Sequence, residues 1–450
     1  MIPLRLRELE SATLVRGDPG IAVTALVCDS RLACPGALFA CLHGSKHDGH
    51  EFIGAAAARG AVAALCEPGR GDWPPGLAVL EAVEPLAALG EIGRLVRWRS
   101  RARVVGIAGS AGKTSAKDVL RALVAPHRPT VASPASFNNE LGVPLTLALL
   151  EADTDVCVCE LGTGAPGELA DLCRIAQPEL GVITALGPEH LEFFGSIEAV
   201  AAEEAALIAA LPPGAPVVLP ADGPLLDRHR RDDLDEWRFG LDPAADVHPL
   251  AWRPGTGTTE TIFAVRGARV SFSTNLNAGH HRLTLAAAIA AYAALELPLD
   301  RIGLGAAAIE LSPWRGQEQP LPRGGVLIND AYNANPLSVA VALEALAARR
   351  DGGRTVAVLG EMAELGIATP RWHAEAGRHA VALGIDLLVA VGPGARAYLD
   401  GAAGEIECCW LPDTTAAARA LEVLLGPRDT VLVKGSRAAR LERLAAALVR

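Results

Sequence analysis

Two glycines, a lysine and three hydroxyl residues follow one another closely in the run Gly109-Ser110-Ala111-Gly112-Lys113-Thr114-Ser115. Glycines let backbone N–H groups approach phosphate oxygens, and the N-terminus of a following helix adds partial positive charge. The Lys113 ammonium can reach the terminal phosphates of such a ligand, and the Thr114 hydroxyl can ligate Mg²⁺. The run therefore predicts a site for a nucleoside triphosphate, such as ATP, together with Mg²⁺.

The elements that must position this run are a strand before it and a helix after it. Val104, Val105 and Ile107 form a short β-branched run, and a helical pattern covers Ala116 to Val124. The general phosphate-loop pattern places its first glycine where Ile107 stands, so the fit is to a tighter G-x-x-G-K-T-S variant. A plain strand-to-helix turn is the alternative interpretation, and the Lys-Thr pair argues against it.

Two candidate metal ligands follow other predicted strands. Glu160 lies near the end of the apolar strand Val156 to Leu161, and His190 follows the strand Leu180 to Thr184. Ligands bind where the carboxyl ends of parallel strands meet, and a carboxylate at that edge suits Mg²⁺. A lone histidine in a loop is more often a polar surface group, so both interpretations of His190 stay open.

The composition excludes several classes of protein. Half of the 450 residues are apolar and the net charge is −11, which predicts neither a disordered chain nor a nucleic-acid-binding surface. The N-terminus has no signal-peptide core, and the longest apolar run, Leu283 to Leu295, is too short to span a membrane. Nine cysteines without a C-x-x-C pair indicate reduced thiols. We therefore expect a cytoplasmic protein.

Alternating strand and helix patterns predict an α/β protein of three domains. Residues 1–99 form a small N-terminal α/β domain, residues 100–311 a central domain whose mostly parallel sheet carries the phosphate loop, and residues 312–450 a Rossmann-like domain. A β-rich insertion is predicted within the central domain, over residues 241–275. In the N-terminal domain, Asp29-Ser30-Arg31 and His47-Asp48-Gly49-His50 either cap turns or bind a ligand.

Three polar loops follow predicted strands of the C-terminal domain. Their sequences are DAYNANP (330–336), GEMAELG (360–366) and KGSR (434–437). Turn and capping chemistry explains an Asn-Pro pair but not all three loops together. Because polar residues at the carboxyl ends of parallel strands mark ligand sites, these loops predict a second wall of a binding site.

These motifs, in this order and over essentially the whole length, resemble the Mur ligase family, and within it the branch that adds D-alanyl-D-alanine. The resemblance implies an ATP-dependent ligase of peptidoglycan precursor synthesis. ATP would phosphorylate the peptide carboxylate of UDP-MurNAc-tripeptide, and the amine of D-Ala-D-Ala would attack the resulting acyl phosphate. It also implies ATP and Mg²⁺ as cofactors, and we expect a monomer.

The resemblance assigns roles residue by residue. It implies catalytic roles for Lys113, Glu160 and His190, with Thr114, Glu160 and His190 as magnesium ligands, and Glu204 is a further catalytic candidate. ATP would also contact His281, Arg315 and Asp330. The sugar-peptide and amine substrates would contact the remaining candidates, which are Ser30, Arg31, His47, Asp48, Asn138, Asn139, Asn333, Asn335, Glu364, Lys434, Ser436 and Arg437.

Some central positions depart from the family pattern. Most members carry a carbamylated lysine where this chain has Glu204, which either offers a carboxylate to a second Mg²⁺ or lies on a solvated helix face. The run that begins at His281 lacks the two asparagines common near adenine, and Gly164 and Ala185 stand where asparagine is common. These departures concern the adenine contacts and the second metal.

Three hypotheses remain open at this point. The chain is the D-alanyl-D-alanine-adding ligase, a related amide ligase with another carboxylate and amine, or a nucleotide-binding module without turnover. The presence of Lys113, Glu160 and His190 counts against the third hypothesis.

Overall fold

The computed structural model describes residues 1–44, 47–70, 73–349 and 352–449. These residues form three α/β units, each built on its own main sheet. The predicted fold class is confirmed, since a central unit with a largely parallel sheet lies between a small N-terminal unit and a doubly wound C-terminal unit.

The N-terminal unit has a five-stranded sheet in the order β2-β7-β6-β5-β4 and a separate β1-β3 pair. Its elements are β1 (Leu4–Arg5), β2 (Thr13–Arg16), β3 (Ala22–Val23), β4 (Ala25–Val27), β5 (Ala37–Ala40), α1 (Ile53–Ala58), β6 (Ala63–Cys66), β7 (Ala78–Glu81) and α2 (Pro85–Arg99). The segment 22–28 reads as one strand in the sequence but forms two. Its first half pairs with β1 and its second half with β5, so the chain changes sheets at Thr24.

The central unit has a nine-stranded sheet in the order β16-β15-β14-β13-β12-β11-β8-β10-β9. Its strands are β8 (Arg103–Ala108), β9 (Thr130–Ala132), β10 (Val156–Glu160), β11 (Leu180–Ile183), β12 (Pro216–Pro220), β13 (Asp235–Phe239), β14 (Val247–Pro254), β15 (Thr259–Val265) and β16 (Ala268–Thr274). Its helices are α3 (Lys113–Val124), α4 (Gly142–Leu147), α5 (Glu168–Ala176), α6 (Leu191–Phe194), α7 (Ile197–Glu204), α8 (Ala206–Ala210), α9 (His281–Ala294) and α10 (Gly303–Ala306). The β-rich segment predicted over 241–275 extends this sheet antiparallel at one edge.

The order of the central strands explains where the candidate site forms. Strand β8 lies between β10 and β11 and runs parallel to both, with Ile107 opposite Glu160 and Ala108 opposite Ile183. The loops that follow these three strands therefore leave the same edge of the sheet side by side. All three strands are buried, as expected for a parallel sheet covered by helices on both faces.

The C-terminal unit has a six-stranded sheet in the order β17-β18-β22-β19-β20-β21, parallel except for β17. Its elements are β17 (Gln317–Pro320), β18 (Val326–Asp330), α11 (Pro336–Ala347), β19 (Thr355–Gly360), α12 (Thr369–Ala382), β20 (Leu387–Val391), α13 (Ala397–Ala402), β21 (Glu407–Leu411), α14 (Thr414–Leu424), β22 (Thr430–Lys434) and α15 (Leu441–Leu448). The sequence pattern of residues 336–350 predicts one helix. In the structure this helix, α11, ends at Ala347, and Arg350 lies outside the described residues. The three polar loops follow the adjacent strands β18, β22 and β19.

Helix α2 anchors the N-terminal unit to the central unit. Its buried residues Leu89 and Ile92 belong to one apolar cluster that also contains residues of α4 and α5. A Cβ atom on Gly93 would lie 2.8 Å from the Cα of Pro144, so glycine permits the close approach of α2 to α4. No helix among the described residues is long and apolar enough to cross a membrane.

Candidate active site

The phosphate loop connects β8 to α3 in a conformation that depends on glycine. Gly109 has φ of +123° and Gly112 has φ of +87°, values that residues with a Cβ atom rarely adopt. A Cβ atom on Gly109 would lie 2.5 Å from Thr184 Oγ1. Helix α3 begins at Lys113, three residues before the predicted start at Ala116, because Gly112 ends the loop. Lys113 and Thr114 therefore lie in the first turn, where free backbone N–H groups attract anions.

The end of β11 holds the loop in place. The Ser110 N–H donates to Ala185 O at 2.7 Å, and the Thr184 hydroxyl donates to Ala111 O at 2.6 Å. The Lys113 ammonium donates to the carbonyl of Gly109 within the loop. Burial opposes the charged form of this lysine, but neighbouring carboxylates, Glu189 first among them, outweigh burial and raise the pKa of Lys113. The lysine is therefore a cation aimed at the loop.

Glu160 has the environment of a metal ligand. Its side chain is 1% exposed, and its Oε1 accepts from the Thr114 hydroxyl at 3.1 Å and from Asn138 Nδ2 at 2.9 Å. Among the described residues, Oε2 has no hydrogen-bond partner. Burial raises the pKa of Glu160, and the Lys117 and Lys113 ammonium groups oppose that effect. A buried carboxylate oxygen without a partner, next to a hydroxyl, fits the oxygen ligands that Mg²⁺ prefers.

His190 follows β11 and faces two carboxylates. Its Nδ1 lies 2.5 Å from Glu364 Oε2 of the C-terminal unit, and its Nε2 lies 3.9 Å from Glu189 Oε2. Burial lowers the pKa of His190, so a neutral imidazole is favoured, the form that ligates metals. Its backbone has a left-handed φ of +49°. His190 therefore lies on the seam between two units rather than on a free surface.

Glu204 lies beneath the phosphate loop. It is fully buried, which excludes the solvated helix face left open by the sequence. Its Oε2 accepts the Gly109 N–H at 2.6 Å, and within the described residues its Oε1 has no hydrogen-bond partner. Burial raises the pKa of Glu204, with the Lys113 ammonium and the Gly109 N–H opposing that effect. The carboxylate thus contacts the loop from below.

The C-terminal unit closes directly onto the phosphate loop. Asn335 Nδ2 donates to Ser110 O at 3.0 Å, and Arg315 Nη2 donates to Thr114 Oγ1 at 3.0 Å. The Tyr332 hydroxyl shares a hydrogen bond with Ser136 of the central unit. These bonds join segments about 200 residues apart in sequence, the Arg315–Thr114 pair being separated by 201 positions. The structure is therefore a closed arrangement of the two units.

A cavity of about 580 Å³ lies between these groups. Its lining includes much of the predicted site, namely Ser110, Ala111, Gly112, Lys113, Thr114, Asn138, Asn139, Glu160, His190, Arg315, Asn333, Asn335, Glu364, Ser436 and Arg437. Arg437 also lies over the Trp314 ring, with its guanidinium carbon 4.5 Å from the ring centroid. The two walls that the sequence predicts separately thus form one cavity.

Other predicted residues lie outside this lining. Lys434 is 3% exposed and donates to Asp330 Oδ2 at 2.6 Å and to Asn333 O at 2.9 Å, so both charges of the Lys434–Asp330 pair are engaged inside the C-terminal unit. His281 is buried against His280, their ring centroids 4.1 Å apart, and burial lowers the pKa of His281. The roles of Lys434, Asp330 and His281 toward ATP and substrate remain predictions.

The N-terminal candidates form a separate surface. Asp29 and Asp48 each cap a 3-10 turn, accepting from the N–H groups of Arg31 and His50, and their part in ligand binding stays a prediction. The two turns contact the same helix, α1. Ser30 begins the first turn, and the exposed residue His47 precedes the second. Ser30 and His47 thus lie in or next to turns that pack on one helix of the N-terminal unit.

Several residues of the cavity were not predicted from the sequence, among them Glu189, Ser136 and Tyr332. Glu189 is 7% exposed, with its Oε1 3.9 Å from Lys113 Nζ, and burial together with the nearby Glu204 raises its pKa. Its position directly before the candidate metal ligand His190 could have identified Glu189 as a site residue. Ser136 and Tyr332 line the cavity as well. Their hydrogen bond joins two units, and sequence patterns give no signal for such a pairing.

The fold and the cavity define a nucleotide-dependent enzyme that encloses its reactants between two α/β units. Three family descriptions match the chain: the Mur ligase family catalytic domain over residues 22–85, the Mur ligase middle domain over 107–292, and the Mur ligase glutamate ligase domain over 316–437. The chain belongs to the Mur ligase family, a family of ATP-dependent, ADP-forming ligases.

Similar proteins cover nearly the whole chain. The UDP-N-acetylmuramoyl-tripeptide--D-alanyl-D-alanine ligase of Escherichia coli is 33% identical over 95% of this chain and 94% of its own length. A crystal structure of MurF from Acinetobacter baumannii is 25% identical, with a TM-score of 0.85 and 99% of both chains covered. MurF from Thermotoga maritima, solved in complex with ADP, is 26% identical with a TM-score of 0.81, covering 95% of this chain and 97% of that one.

Proposed function

We propose that this protein joins D-alanyl-D-alanine to UDP-N-acetylmuramoyl-tripeptide with ATP and Mg²⁺, through an acyl phosphate, in peptidoglycan precursor synthesis. The observation that carries the proposal is the single cavity in which the phosphate loop, Glu160 and the three C-terminal loops converge. The E. coli relative, similar over nearly its full length, bears the name of this activity. We place the enzyme in the cytoplasm and expect it to act as a monomer.

The residues of the cavity suit phosphoryl transfer to a carboxylate. Such transfer depends on positioning and on neutralising negative charge rather than on covalent help from the protein. The N–H groups at the start of α3 would bind the triphosphate, and the Lys113 ammonium would leave Gly109 O to contact it. The side chain of Arg315, already on Thr114, would add a second cation.

Glu160, Thr114 and His190 would hold Mg²⁺. When bound, the ion would neutralise charge on the transferring phosphoryl group. The free Oε2 of Glu160 supports this assignment, and the Thr114 hydroxyl lies on the other oxygen of the same carboxylate. The contact of His190 with Glu364 connects this group to the C-terminal unit.

The substrates would enter from opposite sides. We assign the UDP end of the sugar-peptide to the N-terminal surface of Ser30, Arg31, His47 and Asp48, with Asn138 and Asn139 nearer the peptide. The amine would come from the C-terminal side, where the cavity is lined by Asn333, Ser436 and Arg437. The closed contacts of Asn335 and Tyr332 with the central unit would exclude water, which otherwise hydrolyses an acyl phosphate.

Phosphate release tests the proposal directly. With UDP-MurNAc-tripeptide, D-Ala-D-Ala and Mg-ATP, the purified protein should release phosphate and form the pentapeptide product, and omission of the amine should suppress product formation. Comparison of tripeptides ending in lysine and in meso-diaminopimelate defines the third residue. No release despite ATP binding would reject the proposal, and activity only with other amines would support a related ligase instead.

Glu204→Gln should lower kcat about tenfold or more, because the buried carboxylate supplies negative charge beside Lys113 and a free oxygen beneath the loop. Glutamine keeps the volume and can still accept the Gly109 N–H, so the charge is the main loss. The measurement is phosphate release as a function of Mg²⁺ concentration. Glu198→Gln, at an exposed position of the same helix, is the matched control. An unchanged kcat and Mg²⁺ dependence would reject a metal or charge role for Glu204.

A further inference from the structure

Helix α3 carries a second lysine, Lys117, one turn after Lys113, and this lysine is buried and does not line the cavity. Lys117 is 2% exposed, one of the largest fully buried side chains in the described chain. Its ammonium donates to Ser133 O at 2.9 Å and to Ala135 O at 2.6 Å, and lies 2.8 Å from Asp118 Oδ1. Burying an ammonium is costly unless such partners surround it. The partners of Lys117 therefore indicate that its ammonium holds neighbouring groups in place.

The two carbonyls belong to residues 133–139, here called the amide loop. Ala135 has a left-handed φ of +47°, which a residue with a Cβ atom rarely adopts without support. The Lys117 ammonium binds the carbonyls on either side of this bend. Directly after it come Ser136, which bonds Tyr332 of the C-terminal unit, and Asn138, which bonds Glu160. The orientation of both side chains depends on the bend.

Asp118 binds a second segment, residues 311–316, here called the linker. Its Oδ2 accepts the Ser312 N–H at 2.7 Å, while its Oδ1 faces Lys117. Three residues further on, Arg315 donates to Thr114 Oγ1 and places its guanidinium carbon 4.0 Å from the centre of the Tyr332 ring. Lys117 and Asp118 are each neighbours of Thr114 on α3, because residues three and four positions apart are adjacent on a helix.

We propose that Lys117 and Asp118 are positioning residues that tie the amide loop and the linker to the helix following the phosphate loop. The buried Lys117–Asp118 pair thus positions two side chains from a single turn of α3. Asn138 of the amide loop reaches Glu160, and Arg315 of the linker reaches Thr114. The hydrogen bonds of the pair reach the site through these two segments, and the charge of the Lys117 ammonium also acts on the Glu160 carboxylate. Its effect on turnover rests on the proposed ligase activity, whereas its effect on the two segments does not.

Lys117→Met tests the proposal, because methionine keeps the length of the side chain and removes its charge and donors. Hydrogen–deuterium exchange followed by mass spectrometry should show faster exchange in the amide loop and in the linker. In the ligase assay kcat should fall about tenfold or more, while KM for ATP stays within about threefold, since the phosphate loop itself is untouched. Arg121→Met, one turn later on the same helix and exposed, removes the same charge and should change neither readout.

Asp118→Asn tests the contact with the linker separately. It is the alternative experiment if the Lys117→Met protein does not fold. Lys117 and Ser312 approach different oxygens of Asp118, and in asparagine one of these positions carries an NH₂ group, which cannot accept. Faster exchange is expected in the linker, again with lower kcat. Unchanged exchange in the linker, or normal kcat in a folded Lys117→Met protein, would overturn the proposal. A wild-type protein without turnover would reject the proposed ligase activity. The exchange experiment would still show whether Lys117 and Asp118 tie the amide loop and the linker to α3.

Discussion

Lys113→Met should lower kcat by about 10²–10³-fold while the protein remains folded. The ammonium is the cation of the phosphate loop, surrounded by the carboxylates of Glu189, Glu204 and Glu160, which raise its pKa and keep it charged at neutral pH. Without it, the transferring phosphoryl group loses its nearest lysine cation, and buried carboxylates remain unpaired. The measurement is phosphate release at saturating substrates.

The control for this experiment is Arg121→Met, which removes one positive charge from the exposed face of the same helix. Circular dichroism of both variants would show whether the fold is retained. Turnover of a folded Lys113→Met protein within about threefold of wild type would contradict the role of the lysine in phosphoryl transfer.

Glu160→Gln should lower kcat about 10²-fold and shift the Mg²⁺ dependence to higher concentrations. Glutamine keeps the shape, and its one oxygen can still accept from the Thr114 hydroxyl or from Asn138 Nδ2. It then directs an NH₂ group, which carries no charge, to the position of the free Oε2. Because Mg²⁺ requires oxygen ligands, the binding of the ion should weaken most.

The measurement is kcat against Mg²⁺ concentration at saturating ATP, together with Mg²⁺-dependent binding of a nucleotide analogue. Glu151→Gln, an exposed position on the segment that leads into β10, is the matched control and should leave both unchanged. Equal Mg²⁺ dependence in the Glu160→Gln and wild-type proteins would show that the ion binds elsewhere.

The two variants also separate an enzyme from a nucleotide-binding module without turnover. In an enzyme both substitutions reduce a measurable rate. In a module the wild-type protein has no rate to lose, and the substitutions affect nucleotide binding alone. The closed contact of Asn335 with Ser110 favours the enzyme, because enclosing the reactants matters for a reactive acyl phosphate.

Local patterns predicted most of the elements because the interactions that form them are local. The strand, glycine loop and helix around Lys113 follow one another in the chain, so residue types alone indicate them. The observed ends of some elements differ from the predicted ends by a few residues. This happens where a single backbone angle sets the start of a helix, as at Gly112, or where one segment pairs with two sheets, as at Thr24. The polar loops of the C-terminal unit were recognisable for the same local reason.

The sequence by itself determined the α/β class, the phosphate loop and the family resemblance, which together predict an ATP-dependent ligase. Only the tertiary structure decided which distant groups meet: the order β10-β8-β11, the burial of Glu204 beneath Gly109, the closure of Asn335 onto Ser110, and the junction at Lys117. These contacts join segments tens to hundreds of positions apart. Their energies depend on which surfaces become buried together, and residue spacing along a chain does not record that.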